Sequence, residues 1–432
     1  METLSIIFTT LRDLLWNWWW VPLPFILYPY FIYLYLWWRG DVFDSKIKFV
    51  LLEINPPMEV LKPLRAMEAV FTGLWHLYDS PNPREKWLEG KFLMTMSLEL
   101  VSVEGNLHFF IRVPEKLRNL VEATVYAQYP DVDITEVGDY TKNVPDTMPN
   151  KYWDLWGCDY GLLKDDVYPI KTYADFFEIS SDSKEEKRID PLAPLLEGMS
   201  KLGRGEQLWV QIMAKPITAA EYDFPKKGKI EVNKLVKRPK EAKAPSAFIG
   251  KDDIVNALDL LLMGEKTENK KPEPREIMPP EMKLTPGERE VVAKIENKVS
   301  KFSFMSNIRF IYLAKKDSFF GAHKAWVMGF FDQFASTNLN ALKPWKKTIT
   351  KVHTVSTWFL DKRRAYTRKR RILRKYIGRS TPLFPKEGGT FLLNSEELAT
   401  LFHFPGRSVS YAPGIKRAEA KKGKAPSNLP VE

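Results

Sequence analysis

Hydrophobic positions along this chain fall into periodic blocks separated by proline and charge. Leu14 to Trp38 runs 25 residues without a formal charge and carries Trp16, Trp18, Trp19 and Trp20 at one end and Trp37 and Trp38 at the other. A bilayer core about 30 Å thick needs roughly 20 apolar residues of helix. Tryptophans flanking an apolar middle suit the headgroup level, where the ring is buried and its N–H stays wet. The stretch therefore predicts an N-terminal membrane anchor over residues 1–40. Arg12 precedes it, while Arg39, Lys46 and Lys48 follow. That asymmetry predicts a single pass of the cell membrane with the bulk of the chain cytoplasmic. Pro22, Pro24 and Pro29 interrupt the run, and a mid-helix proline bends the axis, so an interfacial or re-entrant segment is the alternative. No small-residue cleavage site follows Leu36, which argues against a signal peptide.

The next blocks alternate between two periods. Phe49 to Ile54 reads as a strand stopped by Pro56 and Pro57, and Leu64, Met67, Phe71, Leu74, Trp75 and Tyr78 recur at helical spacing. Phe92, Met94, Met96, Leu98 and Leu100 alternate with more polar neighbours, Glu104, Gly105 and Asn106 make a turn, and Leu107, Phe109, Ile111 and Val113 answer as the hairpin partner. Pro114 opens a helix through Leu117, Leu120, Val121 and Val125, and Val132 to Val137 supplies a last strand. Strand, helix, strand, strand, helix, strand is the ferredoxin-like βαββαβ pattern, expected here over residues 46–140. Both helices should cover one sheet face and leave the other free for a partner.

Residues 150–345 read as a second α+β domain, an interrupted sandwich of the same type. Asp159 to Tyr173 looks like irregular and extended chain rich in Tyr, Pro191 to Leu202 is a helix beginning at an Asp190 cap, and Leu208 to Met213 is a strand. A Lys-, Glu- and Pro-rich insertion over 224–283 follows, with one apolar island at Ile254, Val255, Leu258 and Leu261. Helices over Glu288 to Ser300 and Ala322 to Phe334 flank a strand alternating Ile308, Phe310 and Tyr312. The fold class expected is α+β, with one transmembrane helix ahead of both domains.

Charge sharpens this picture only when it is divided along the chain. Asp361 to Arg379 carries +9 and Arg407 to Glu432 carries +4, so the remainder of a chain of net charge +11 stands at −2. Val355, Phe359, Tyr366, Leu373, Tyr376 and Ile377, with the aliphatic stems of Lys362 and Lys369, form the apolar stripe of an amphipathic helix over 352–379. Its other face holds Lys362, Arg363, Arg364, Arg368, Lys369, Arg370, Arg371, Arg374, Lys375 and Arg379. Three readings stand open: a solvated face docked on the preceding domain, a contact with DNA phosphates, and a contact with anionic lipid.

Catalytic and metal chemistry leave little trace in the pattern. The single Cys158 has no thiolate partner, and His76, His108, His323, His353 and His403 are dispersed. Neither G-x-x-x-x-G-K-[ST] nor G-x-S-x-G occurs. The expectation is a non-enzyme with no cofactor and no metal. Its enzymatic rival is a site among Trp153 to Tyr173, which would require a compact pocket with convergent carboxylates.

Four segments together carry a family likeness. Leu107 to Val132, Tyr168 to Tyr173, Trp209 to Ile212 and Leu393 to Pro405 resemble the amino-terminal, membrane-attached region of bacterial ATPases of the conjugative type IV secretion coupling class. In that class a segment like Leu393 to Pro405 precedes the P-loop ATPase domain, whereas here the sequence ends at Glu432. The resemblance implies a membrane-anchored, non-catalytic accessory or scaffold component of a DNA-transfer system, with a separately encoded P-loop ATPase as partner. Within the closing motif over 388–405, Asn394 and Glu397 have capping-box spacing. Leu398, Leu401 and Phe402 form an apolar face, read either as an ordinary closing helix or as the partner's docking site. Residues 406–432 read as a disordered basic tail. Monomer and oligomer both remain open.

Overall fold

The computed structural model describes residues 16–17, 20–57, 64–176, 190–236, 284–353, 358–380, 389–406 and 415. A mixed α/β architecture is built on one antiparallel nine-stranded sheet. In the first half, β1 (Phe49–Asn55), α2 (Leu64–Leu74), β2 (Met96–Val103), β3 (Asn106–Pro114), α3 (Arg118–Gln128) and β4 (Asp133–Val137) follow α1 (Pro22–Lys46). Their strands lie in the order β4-β1-β3-β2. The β2–β3 hairpin turns on Glu104 and Gly105, both at positive φ, as a two-residue turn matched to strand twist demands. A Cβ on Gly105 would stand 2.8 Å from the Ser200 carbonyl oxygen.

The second half repeats the pattern. β5 (Trp153–Leu162), α4 (Ala193–Ser200), β6 (Glu206–Ile217), β7 (Ser303–Lys315), α7 (Lys324–Asp332) and β8 (Leu342–Pro344) pair in the order β6-β7-β5-β8. Antiparallel pairing of β2 with β6, from Met96 opposite Ala214 to Val103 opposite Gln207, fuses both halves into one sheet. Between β6 and β7, α5 (Phe224–Leu235) and α6 (Pro286–Ser300) pack through Val232, Val236, Val291 and Ile295. Thr285 and Glu288 form a capping box with Pro286 at the first turn of α6. The expected island at Ile254 to Leu261 lies outside the described residues. So does the tail after Gly406, apart from Ile415, which is buried and bridges Leu107.

One face of the sheet packs on α2, α3, α4, α7 and α9 (Ser395–Leu401) in a single apolar core. The opposite face was expected to be free, and it is not. Leu51, Val101, Phe110, Leu155, Trp209, Ile311 and Leu313 there bury Ile372, Leu373 and Tyr376 of α8 (Asp361–Ile377). Trp153 to Leu162 is a strand, whose end from Asp159 was expected to be irregular and extended chain. The first hairpin strand starts at Met96 rather than Phe92, because Glu85–Glu89 closes a π-helical turn first.

The expected spanning helix is not found. Helix begins properly at Pro22, runs on through Arg39, Asp41, Asp44 and Lys46, and is diluted by Tyr28, Tyr30, Tyr33 and Tyr35. Among the described residues no helix is long and apolar enough to cross a membrane.

Candidate functional site

Each strand of the sheet's α8 face contributes residues at alternate positions, and there the register aligns a polar row. Glu99 on β2 lies opposite Gln211 on β6, Gln211 opposite Arg309 on β7, and Arg309 opposite Asp159 on β5. All four side chains are buried. Glu99 accepts hydrogen bonds from Ser97 (2.6 Å), Tyr140 (2.8 Å), Gln211 (2.9 Å) and Arg379 (2.8 Å and 3.1 Å). The Arg379 guanidinium also reaches Asp139 at 2.6 Å. Burial opposes its charge, but these two carboxylates prevail and raise its pKa. Arg309 donates to the carbonyl oxygens of Lys375 and Ser380, both at 2.7 Å. Asp159, raised by burial against the pull of Arg309 and Lys375, stands 3.8 Å from the Lys375 ammonium.

The expected polyanion-binding cations therefore divide. Arg379 is buried in the sheet's own network, Lys369 pairs with Asp154 at 2.6 Å, and Lys375 faces Asp159. Arg368 donates to the carbonyl oxygens of Lys346 and Ile349, and Arg370 to the Tyr366 hydroxyl. Lys362, Arg363, Arg371 and Arg374 are exposed. Arg363, Arg364, Arg368 and Arg371 line a groove of about 330 Å³ with Leu360 and Thr367. The expected apolar stripe is buried only in its C-terminal half; Phe359 and Tyr366 remain exposed, as does Trp358. Val355 lies outside the described residues.

Aromatic exposure is greatest on α1. Phe25, Ile26, Leu27, Tyr28, Tyr30, Phe31, Tyr33, Leu34, Trp37 and Trp38 are all exposed. Trp16 and Trp20 are exposed before it, and Trp18 and Trp19 lie outside the described residues. The helix is held from one side: Tyr35 donates to the Trp87 carbonyl oxygen at 3.0 Å, and Phe43 meets Phe92 edge-on. Gly90, at φ 77°, lets the chain pass Arg39, whose carbonyl oxygen would lie 2.2 Å from a Cβ there.

Leu398, Leu401 and Phe402 are not a docking face. All three are buried against the sheet and α2. The capping box forms as expected, but Glu397 also pairs with Lys298, and both side chains are buried. The motif closes the core from within.

A cleft of about 800 Å³ opens where the strand ends of the second half meet the start of α5. It is lined by Lys215, Ile217, Met305 and Phe391, with Trp345, Lys347, Asp165, Asp166 and Tyr222. Tyr222 donates to Asp166 at 2.7 Å, and Lys227 donates to the Tyr222 hydroxyl. Burial and the neighbouring Asp165 push the Asp166 carboxyl up, while Asp165 is lowered despite its own burial by Asp166, the Val167 amide and Lys227. Burial likewise depresses Lys215, only partly offset by Glu221. Glu221 is itself occupied by Thr218 and Tyr78. This cleft brings two carboxylates together in the region flagged by the enzymatic rival. Among the described residues no group of His, Cys, Asp and Glu could hold a metal ion.

Neither the polar row nor Lys215 was anticipated. The signal for the row was available in the polar residues that alternate with apolar ones along β2, which sequence reasoning assigned to solvent. No family model matches the chain, and no curated protein sequence does.

Proposed function

We propose that this chain is a membrane-surface scaffold of a DNA-transfer or type IV secretion-like machine, with α1 seated among lipid headgroups and the outward cations of α8 facing anionic lipid. The observation that carries this reading is the ring-covered surface of α1. A contiguous apolar surface of that size needs covering in the working state. Tyr and Trp favour the level where one end of the side chain is dry and the other wet. An interfacial seat also suits a helix too polar to cross. Trp358, Phe359 and Tyr366 beside exposed cations favour lipid over nucleic acid at α8, where each cation near an anionic surface contributes about 1 kcal/mol. The secretion setting and a separately encoded ATPase as partner rest on the family resemblance, and that partner would seat elsewhere than on Leu398, Leu401 and Phe402.

Vesicle flotation of the full chain tests this. Binding is expected to neutral vesicles and to be strengthened by phosphatidylglycerol. Replacing Phe25, Ile26 and Leu34 with Ser should weaken it by on the order of a hundredfold, at about 1 kcal/mol for each partly buried side chain. Failure to float at every composition defeats the proposal. Tight duplex DNA binding with a log-log salt slope of roughly −6 would instead assign α8 to nucleic acid.

A further inference from the structure

The cleft around Lys215 has a charge pattern that specifies a ligand. Four lysines line it (Lys164, Lys215, Lys227 and Lys347) against Asp165, Asp166 and Glu221. Lys164 is spent on the carbonyl oxygens of Thr337 and Asn338, and Lys227 on Tyr222. Among the described residues, neither the Lys215 nor the Lys347 side chain has a hydrogen bond or ion pair; the Lys347 ammonium lies 5.9 Å from the centre of the Trp345 ring. Asp166 accepts from Tyr222, and Glu221 is held by Thr218 and Tyr78. The lysines outnumber the carboxylates by one, and the two ammonium groups without a partner suit the phosphate of a small ligand. The cleft's volume lies in the range of metabolite sites, roughly 300 to 1,000 Å³, and below what a duplex requires. Lysine binds phosphate as a point charge, without needing the planar fork of arginine.

We propose that this cleft binds a small phosphate-bearing ligand, with Lys215 and Lys347 taking the phosphate and the rings of Trp345 and Tyr222 flanking its body. Lys215 lines the cleft together with the apolar side chains of Ile217, Met305 and Phe391. There a phosphate would meet an ammonium in a setting drier than water, which strengthens their attraction. Beside the hydrogen-bonded Lys227 and Tyr222, the second Asp166 carboxyl oxygen is buried without a partner and is placed to meet a ligand hydroxyl.

Pyridoxal phosphate, which carries both a phosphate and an amine-reactive aldehyde, is a suitable probe for the full chain. Its aldehyde condenses with a lysine amine to an imine, releasing water, and borohydride then reduces the imine to a stable secondary amine. Peptide mapping should find Lys215 labelled about tenfold above exposed lysines, because docking concentrates the aldehyde beside it. Inorganic pyrophosphate should remove that excess. Lys215→Met should lose the label while keeping the wild-type melting temperature within a few degrees. Equal labelling of all surface lysines, or a Lys215 label indifferent to pyrophosphate, overturns the proposal. Protection by phosphatidylglycerol vesicles but not by pyrophosphate also overturns it, since the phosphate would then belong to a lipid headgroup.

Discussion

Arg379 and Arg371 occupy neighbouring stretches of one basic run and do opposite things. Arg379 is buried against Glu99 and Asp139, whereas Arg371 is exposed. Removing one partner of a buried, hydrogen-bonded ion pair leaves the other charge uncompensated and costs about 3–5 kcal/mol. Arg379→Leu should lower unfolding free energy by that amount in urea denaturation, while Arg371→Leu should stay within about 0.5 kcal/mol. All ten cations were legible as composition, but their division was not. It depends on Glu99, Gln211, Arg309 and Asp159 falling on the covered face, and no local period distinguishes a covered polar position from a wet one. The cleft was even less legible, because Lys215, Tyr222, Trp345 and Phe391 meet only through strand register and the packing of α5.

At the scale of elements, helical spacing proved the more readable signal. α2, α3, α6 and α7 lie near the positions their apolar periods indicated, whereas the end of β5, from Asp159, was read as irregular and extended chain. Both faces of β5 are covered, with Trp156, Cys158 and Tyr160 in the helix-covered core, Leu155 on the α8 face, and only Gly157 and Asp159 between them. The hydrophobic pattern of α1 likewise gave its apolar length but not its polar end. The start of α4 and the chain after α9 are joined by Asp190, which accepts from the amides of Leu192 (2.8 Å) and Gly406 (3.0 Å) and from buried His403 (2.9 Å). His403 turns its other ring nitrogen to the Ala399 carbonyl oxygen at 3.0 Å. Burial raises the Asp190 carboxyl, but His403 and the two amides outweigh it and hold the pKa below its ordinary 3.8. A carboxylate depressed in the folded state stabilises fully above that ordinary value and loses its contribution as pH falls through the lower one. Wild type should therefore lose more stability than Asp190→Asn as pH falls below 3.8, so the gap between their urea midpoints should narrow with acid.

Across the whole molecule, one sheet and one helix-covered core run through both halves. Unfolding should be a single cooperative event, with tryptophan fluorescence and far-ultraviolet dichroism melting together and calorimetric and van't Hoff enthalpies equal. Two separated transitions would mean that the β2–β6 seam couples the halves only weakly. Ile212→Ala, at that seam, should cost about 2–5 kcal/mol and shift both probes together. The strand order on either side of the seam reads the same outward, β2-β3-β1-β4 and β6-β7-β5-β8. Two identical copies of a single unit, meeting edge to edge about a dyad, would produce the same order with no linker at all. Such a homodimer, fused end to end, would be free to diverge, since a long excursion grown between β6 and β7 leaves the matching β2–β3 turn untouched. A half expressed alone would present β2 or β6 as a bare edge and should recruit a second copy of itself.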